Sequence, residues 1–160
     1  MIKISNSKKH PKYVECVNYI SNKWVIRFDI NKIDDNTYQY CEYIFDHKPI
    51  IDEVKNVIIQ YYNEKADKEI ICGFIWNDMS IWLSIENQIN YKAIYDLMNI
   101  NELAVFPLHL KFRKDGDDIM YSFMTKDDYL DFYEKQIIYV KNVLQKYWNI
   151  KDNINYSDYI

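Results

Sequence analysis

The segment from about Lys126 to Trp148 constrains the fold of this 160-residue chain more than any other feature. Its apolar residues alternate spacings of three and four, the pattern of one face of a long helix. They are Leu130, Tyr133, Ile137, Val140, Leu144 and Tyr147. Thr125 and Asp128 resemble a capping box, which predicts where the helix begins. Such a stripe either pairs with a second copy or packs on its own sheet, and we expect the second arrangement.

The first third of the chain alternates apolar and polar residues, the pattern of half-buried strands. The pattern occurs in KYVECVNYI (12–20), KWVIRFDI (23–30) and TYQYCEYIF (37–45). Ser21-Asn22 and the turn cluster IDDNT separate these segments. Consecutive strands joined by short turns pair in the antiparallel sense. We therefore predict an N-terminal antiparallel β-meander.

A helix is predicted after Pro49, because proline is tolerated in the first helical turn. The segment IIDEVKNVIIQYYNEK (50–65) follows it and ends near Lys65. Its apolar residues have the spacing of one helical face, at Ile51, Val54, Ile58 and Tyr61.

The next segment, EIICGFIWNDMSIWLS (69–84), predicts a β-hairpin. Ile70, Cys72, Phe74 and Trp76 alternate onto one face, and Asn77-Asp78 supplies the residues that a tight two-residue turn requires. Ser84 offers a hydroxyl to cap the helix that follows it. The apolar face of that helix consists of residues spaced four apart, Ile85, Ile89, Ala93 and Leu97.

A second hairpin is predicted from VFPLHLKFR (105–113) and DIMYSFM (118–124), because Asp115-Gly116 between them is a strong turn signal. The complete order predicts an α+β fold: an N-terminal antiparallel β-meander, then helix, hairpin, helix, hairpin and long helix.

The sequence contains no cluster of residues that would carry a reaction. Two glycines in the whole chain exclude a phosphate loop or a dinucleotide fingerprint, and the three histidines are scattered. The cysteines, Cys16, Cys41 and Cys72, are far apart and form no CxxC pair, which argues against disulfides and zinc. Each lies in a strand-like segment, where we expect a buried thiol. We predict a protein without catalytic residues, metal or cofactor.

The charge pattern and the hydropathy pattern exclude two classes of partner. The net charge is -4, and lysines are interspersed with acids along the chain, which argues against nucleic acid. No apolar run reaches the length of a membrane span, so no membrane partner is expected. The first residues lack the apolar core of a signal peptide, so folding in a reducing cytoplasm is expected.

Aromatic residues are abundant at 17%, and they supply the candidate binding residues. Trp76 and Trp82 flank the first hairpin turn and could share a patch with Tyr91 or Tyr95. Exposed rings of this kind stack on sugar rings or anchor a protein partner, whereas buried ones fill the core. We expect at least one tryptophan in the core. The long helix contributes the remaining interface candidates, Tyr133, Val140 and Tyr147.

Five stretches resemble, in order, the motifs of a known family. They are GFIWND (73–78), SIWLSIENQINYKAIYDL (80–97), FPLHLKFRKDGDD (106–118), YSFMTKDDYLDFYEKQIIYVKNVLQKYW (121–148) and KDNI (151–154). The family is a C-terminal domain of unknown function in tailed-bacteriophage proteins, often encoded with tail-fibre or other virion genes. The variant in phages of gut Bacteroidetes, including the crAss-like group, is especially similar. The family's turn is Asn-Gly, where this chain has Asn77-Asp78.

The resemblance implies a context, and it implies no reaction. It covers residues 50–156 as a phage module, with residues 1–49 as a β-rich attachment segment and residues 157–160 as a tail. We expect a non-enzymatic virion protein, made in the cytoplasm of the host bacterium, in a head or tail fibre or its attachment point. Its expected partners are other virion proteins and a second copy, most simply as a dimer. The alternatives are a fibre-assembly chaperone and a glycan-binding module.

Overall fold

The structure is a computed structural model that describes residues 1–101 and 106–159. These residues form an α+β fold, as predicted, with two four-stranded antiparallel sheets and three α-helices. The chain divides into two compact units. Unit 1 comprises residues 1–62 and 151–160, and unit 2 comprises residues 63–150. The predicted positions Val105 and Ile160 lie outside the described residues.

The sheet of unit 1 has the order β1-β4-β3-β2. Its strands are β1 (Lys3–Ser7), β2 (Val14–Asn18), β3 (Lys23–Asp34) and β4 (Thr37–Phe45). The predicted meander corresponds to β2, β3 and β4 and is confirmed. Strand β1 was not predicted, because KISNS contains one apolar residue and resembles a polar loop. It forms by pairing with β4, from Lys3 opposite Glu42 to Ser7 opposite Tyr38.

The core of unit 1 lies between this sheet and the first part of helix α1 (Ile51–Cys72). Val54 and Ile58 on the helix are buried, and the ring of Tyr61 packs edge-on against Phe28 at 5.1 Å. The Tyr61 hydroxyl donates to Asp29 Oδ2 at 2.7 Å and accepts from Cys41 Sγ at 3.1 Å. Burial, followed by the hydrogen bonds with Cys41 and Asp29, raises the pKa of Tyr61 above its usual value.

Helix α1 is longer than predicted. Buried side chains recur every four residues along it, at Val54, Ile58, Tyr62, Ala66 and Ile70. The helical face therefore continues through Ile70 to Cys72, and the prediction that these two residues belong to a strand is wrong. Cys72 is exposed, which corrects the expected buried thiol; Cys16 is half-buried and Cys41 is buried.

The sheet of unit 2 has the order β5-β6-β7-β8. Its strands are β5 (Phe74–Trp76), β6 (Met79–Ile81), β7 (Leu108–Lys114) and β8 (Asp117–Phe123). Both predicted turns are confirmed. Asn77 and Asp78 have φ of 49° and 59°, and Asp115 and Gly116 have φ of 51° and 94°. All four residues adopt the left-handed conformation of a type I′ hairpin turn.

Two helices complete unit 2, α2 (Ile85–Asn101) and most of α3 (Lys126–Asp152). Both predicted N-caps are present. The amide of Asn87 donates to Ser84 Oγ at 3.3 Å, and the amide of Asp128 donates to Thr125 Oγ1 at 3.2 Å. Each hydroxyl satisfies a backbone donor that the first helical turn leaves without a partner.

Helix α3 packs on the sheet of its own unit, as expected. Its buried stripe nevertheless differs from the predicted heptad, because it consists of Tyr129, Phe132, Tyr133, Gln136, Val143 and Tyr147. Of the predicted positions, Ile137 is exposed, and Leu130, Val140 and Leu144 are half-buried. The buried stripe differs from the predicted one because Phe132, which the heptad did not include, contacts rings from strands β5, β7 and β8.

Gly73 connects α1 to β5 where a side chain has no room. Its amide donates to Glu69 O at 2.8 Å, and the Tyr139 hydroxyl donates to the same oxygen at 2.6 Å. A Cβ on Gly73 would lie 2.7 Å from that oxygen and would collide with the Tyr139 hydroxyl. We expect Gly73→Ala to lower the free energy of unfolding by about 1–3 kcal/mol. Chemical denaturation measures this loss, and Cys72→Ala, at an exposed neighbour, should change stability by less than about 0.5 kcal/mol.

Glu69 makes the stability of unit 2 sensitive to acid. Its carboxylate lies 2.7 Å from Lys146 Nζ and accepts a hydrogen bond from the Tyr147 hydroxyl at 2.8 Å. The hydrogen bond from Lys146, followed by that from Tyr147, lowers the pKa of Glu69 below 4.5. The stabilisation is therefore complete above the unfolded pKa and is lost as the pH falls through the folded pKa.

We expect Glu69→Gln to flatten the decline in stability below about pH 4.5. The measurement is a series of urea denaturations between neutral and acidic pH. Asp67→Asn, which removes an exposed carboxylate from the same helix, is the matched control. An acid decline that is equally steep in the Glu69→Gln protein would contradict this role.

Candidate functional site

The two tryptophans of the first hairpin lie in opposite environments. Trp76 is 3% exposed, its ring stacks on Phe123, and its Nε1 donates to Asp131 Oδ2 at 3.0 Å. The side chain of Trp82 is exposed, at 59%. The expectation that at least one tryptophan belongs to the core is therefore confirmed by Trp76. Trp82 is the member of the pair that can contact a partner.

Most of the other predicted interface residues lie inside unit 2. Tyr91, Tyr133 and Tyr147 are buried. Tyr95 is half-buried and stacks on Tyr133 at 4.6 Å, and Val140 is also half-buried. As a correction to the prediction, Trp76 and the three buried tyrosines are core residues and offer little surface to a partner.

Trp82 is exposed because the alternation of β6 continues beyond the strand. Ile81 and Leu83 are buried, whereas Ser80 and Trp82 are exposed. The peptide group that joins Trp82 to Leu83 is held by hydrogen bonds at both its nitrogen and its oxygen. The amide of Leu83 donates to Ile71 O at 2.9 Å, and the side chain of Asn87 donates to Trp82 O at 2.7 Å. Trp82 therefore projects from the outer face of the sheet on a fixed backbone.

A groove surrounds Trp82 on this outer face, with a volume of about 550 Å³. We call it the Trp82 groove, and its lining residues are Cys72, Ser80, Ile81, Trp82, Lys111, Phe112, Arg113 and Asp118. Asp118 accepts from Lys111 Nζ at 2.8 Å and lies 3.6 Å from Arg113 Nε. The hydrogen bond and charge of Lys111, with a smaller effect of Arg113, lower the pKa of Asp118. The groove thus contains two cations, one carboxylate and one exposed indole.

The second surface is the outer side of α2. Ile85, Ile89, Leu97 and Ile100 are between 55% and 73% exposed, and Ala93 among them is also exposed. We call these five residues the α2 stripe. The buried side of the helix contains Tyr91 and Met98 instead. The apolar face that the sequence predicted therefore points away from the core, because apolar residues occupy both faces of this helix and spacing alone does not distinguish them.

A smaller groove of about 260 Å³ lies along α3. It is lined by Gln88, Gln136, Ile137, Val140, Lys141, Leu144 and Trp148. Gln136 is buried, and its Oε1 has no hydrogen-bond partner among the described residues. The predicted heptad residues Ile137, Val140 and Leu144 thus line a surface groove of unit 2.

The described part of the chain contains no group of three or more His, Cys, Asp or Glu side chains that could hold a metal ion. No helix within residues 1–101 and 106–159 combines the length and the apolar content that a membrane span needs. No protein-family model, curated protein or solved structure matches this chain.

Proposed function

We propose that this chain is a non-enzymatic structural or accessory protein of a tailed-phage virion, acting through protein–protein contacts. Its position would be a head or tail fibre or the attachment point of one. The resemblance over residues 50–156 supports the virion context. The α2 stripe supports the protein contact, because a contiguous row of exposed large apolar side chains is typical of an interface.

We propose a second copy of the chain as the occupant of the α2 stripe, because the stripe is nearly symmetric about its centre. Ala93 is flanked by Ile89 and Leu97 four residues away on either side, with Ile85 and Ile100 beyond them. When two such helices cross antiparallel about a two-fold axis at Ala93, Ile89 of one copy meets Leu97 of the other. The small side chain at the axis allows the helices to approach closely.

The charges beside the stripe are compatible with this pairing. Lys92 Nζ and Asp96 Oδ2 lie 2.6 Å apart on the same helix, so they neutralise each other on one flank. The stripe itself contains no charged residue. Self-association therefore buries apolar side chains while Lys92 keeps Asp96 as its counterion.

A mass-spectrometric inventory of purified particles, with copy numbers, tests the virion assignment. A structural component is expected at a constant copy number per particle. Absence from mature particles, with retention in assembly intermediates, would favour the fibre-assembly chaperone instead. Light scattering at increasing concentration tests self-association separately. A chain that stays monomeric at high concentration and is absent from particles and intermediates alike would contradict the proposal.

A further inference from the structure

The Trp82 groove combines an exposed aromatic ring with an excess of positive charge. Burying the indole surface on a ligand is favourable, and a tryptophan face suits a ligand with a flat apolar face of its own. Lys111 and Arg113 share the single carboxylate of Asp118, so these three side chains carry a net charge of about +1 at neutral pH. This excess occurs in a chain whose overall net charge is -4. The groove therefore favours a ligand that is both ring-shaped and anionic.

Arg113 is arranged to receive a carboxylate. Its ion pair with Asp118 is made through Nε, at 3.6 Å, and the side chain is 64% exposed. The two terminal guanidinium nitrogens are therefore open to an added acceptor, and their fork geometry suits a carboxylate bidentately. Ser80 lies directly opposite Arg113 in the sheet and adds a hydroxyl that can donate or accept.

The sheet register places these groups at suitable separations. Ser80, Arg113 and Asp118 form one row across β6, β7 and β8. Trp82 lies two residues after Ser80, and Lys111 lies two residues before Arg113 on the neighbouring antiparallel strand β7. Rows two residues apart along a strand are separated by roughly 7 Å. A sugar ring on Trp82 can thus extend a substituent to Arg113.

We propose that the Trp82 groove binds a pyranose ring that carries a carboxylate, the chemistry of a hexuronate in an acidic polysaccharide. The ring stacks on Trp82, the carboxylate pairs with Arg113 and Lys111, and Asp118 accepts from a ring hydroxyl. The groove volume of about 550 Å³ is within the range of roughly 300–1,000 Å³ of small-molecule sites. A neutral sugar would leave Arg113 without its new partner, and a simple anion would leave Trp82 uncovered.

Calorimetric titration with trigalacturonate tests the proposal, with maltotriose as the neutral ring control and acetate as the anion without a ring. We expect saturable binding of trigalacturonate that weakens as salt is added, because the ion pairs are near the surface. Maltotriose and acetate should each bind at least about tenfold more weakly. No saturable binding of trigalacturonate at millimolar concentration, or equal binding of either control, would overturn the assignment.

Matched variants locate the site. Trp82→Ala should weaken trigalacturonate binding about tenfold or more, whereas Trp148→Ala, at a comparably exposed tryptophan outside the groove, should leave it unchanged. Arg113→Gln should weaken binding about tenfold and reduce its salt dependence. Lys114→Gln makes the same charge change outside the groove and should have little effect. Circular dichroism verifies folding of each variant, and unchanged affinity in both Trp82→Ala and Arg113→Gln would refute the site.

Discussion

Replacing Phe132 with alanine is expected to lower the free energy of unfolding by about 3–5 kcal/mol, because it deletes a buried ring that contacts six other rings of unit 2. Phe132 is fully buried. Its ring lies within 6.2 Å of six other rings, those of Phe74, Trp76, Tyr91, Phe112, Phe123 and Tyr129. The substitution would remove contacts with rings on β5, β7, β8, α2 and α3 at once. Local rearrangement of the neighbouring side chains can therefore compensate only a small part of the loss.

Denaturant unfolding followed by circular dichroism measures the loss. The matched control is Ile138→Ala, which shortens an apolar side chain on the same helix at a position that is 55% exposed. It should change stability by less than about 0.5 kcal/mol. A similar loss in both variants would mean that the cluster around Phe132 is not the centre of the core.

Replacing Ile89 with lysine is expected to convert the proposed dimer into a monomer. Each two-fold interface contains the substitution twice, and a buried lysine in an apolar contact costs about 2 kcal/mol at each position. The total of about 4 kcal/mol raises the dissociation constant about 1,000-fold. Sedimentation equilibrium measures the change. Folding should be retained, because Ile89 is 61% exposed in the single chain.

Two controls separate the α2 stripe from other surfaces. Asn142→Lys introduces the same charge at an exposed position of α3, outside both the stripe and the groove along α3, and should leave the dimer intact. Ile137→Lys places the charge in the groove along α3. Dissociation by Ile137→Lys with no effect of Ile89→Lys would move the interface from α2 to α3 and would disprove the pairing about Ala93.

The α+β class, both hairpin turns and both N-caps were predictable from the sequence because their causes are local. Asn77-Asp78 and Asp115-Gly116 tolerate left-handed backbone, and all four residues adopt it. Ser84 and Thr125 carry hydroxyls at the positions where a helix needs an acceptor. In each case the residues that cause the turn or the cap are neighbours in the sequence. The turn or cap could therefore be predicted without knowledge of the tertiary structure.

Features that depend on tertiary packing could not be predicted in the same way. The residues around Ile70 fit a helix and a strand equally well, and packing extends α1 to Cys72. Helix α2 has apolar residues on both faces, and burial of Tyr91 and Met98 determines which face is inside. Strand β1 has almost no apolar pattern and depends on pairing with β4.

The candidate site was predictable only in part. A two-residue turn at Asp115-Gly116 places Arg113 opposite Asp118, so that ion pair follows from the hairpin alone. The proximity of Trp82 to this pair depends on β6 pairing with β7, and the whole of α2 separates these strands in the chain. Contacts of such long sequence separation leave no periodic pattern in a single sequence.

Both ends of the described chain belong to unit 1, whereas the α2 stripe and the Trp82 groove both belong to unit 2. An affinity tag, a fluorophore or a surface linker attached at residue 1 or after residue 159 is therefore joined covalently to unit 1. Unit 2 consists of one uninterrupted stretch of chain, residues 63–150. Immobilisation through either end is thus a practical format for measuring self-association and sugar binding, because neither attachment modifies a residue of unit 2.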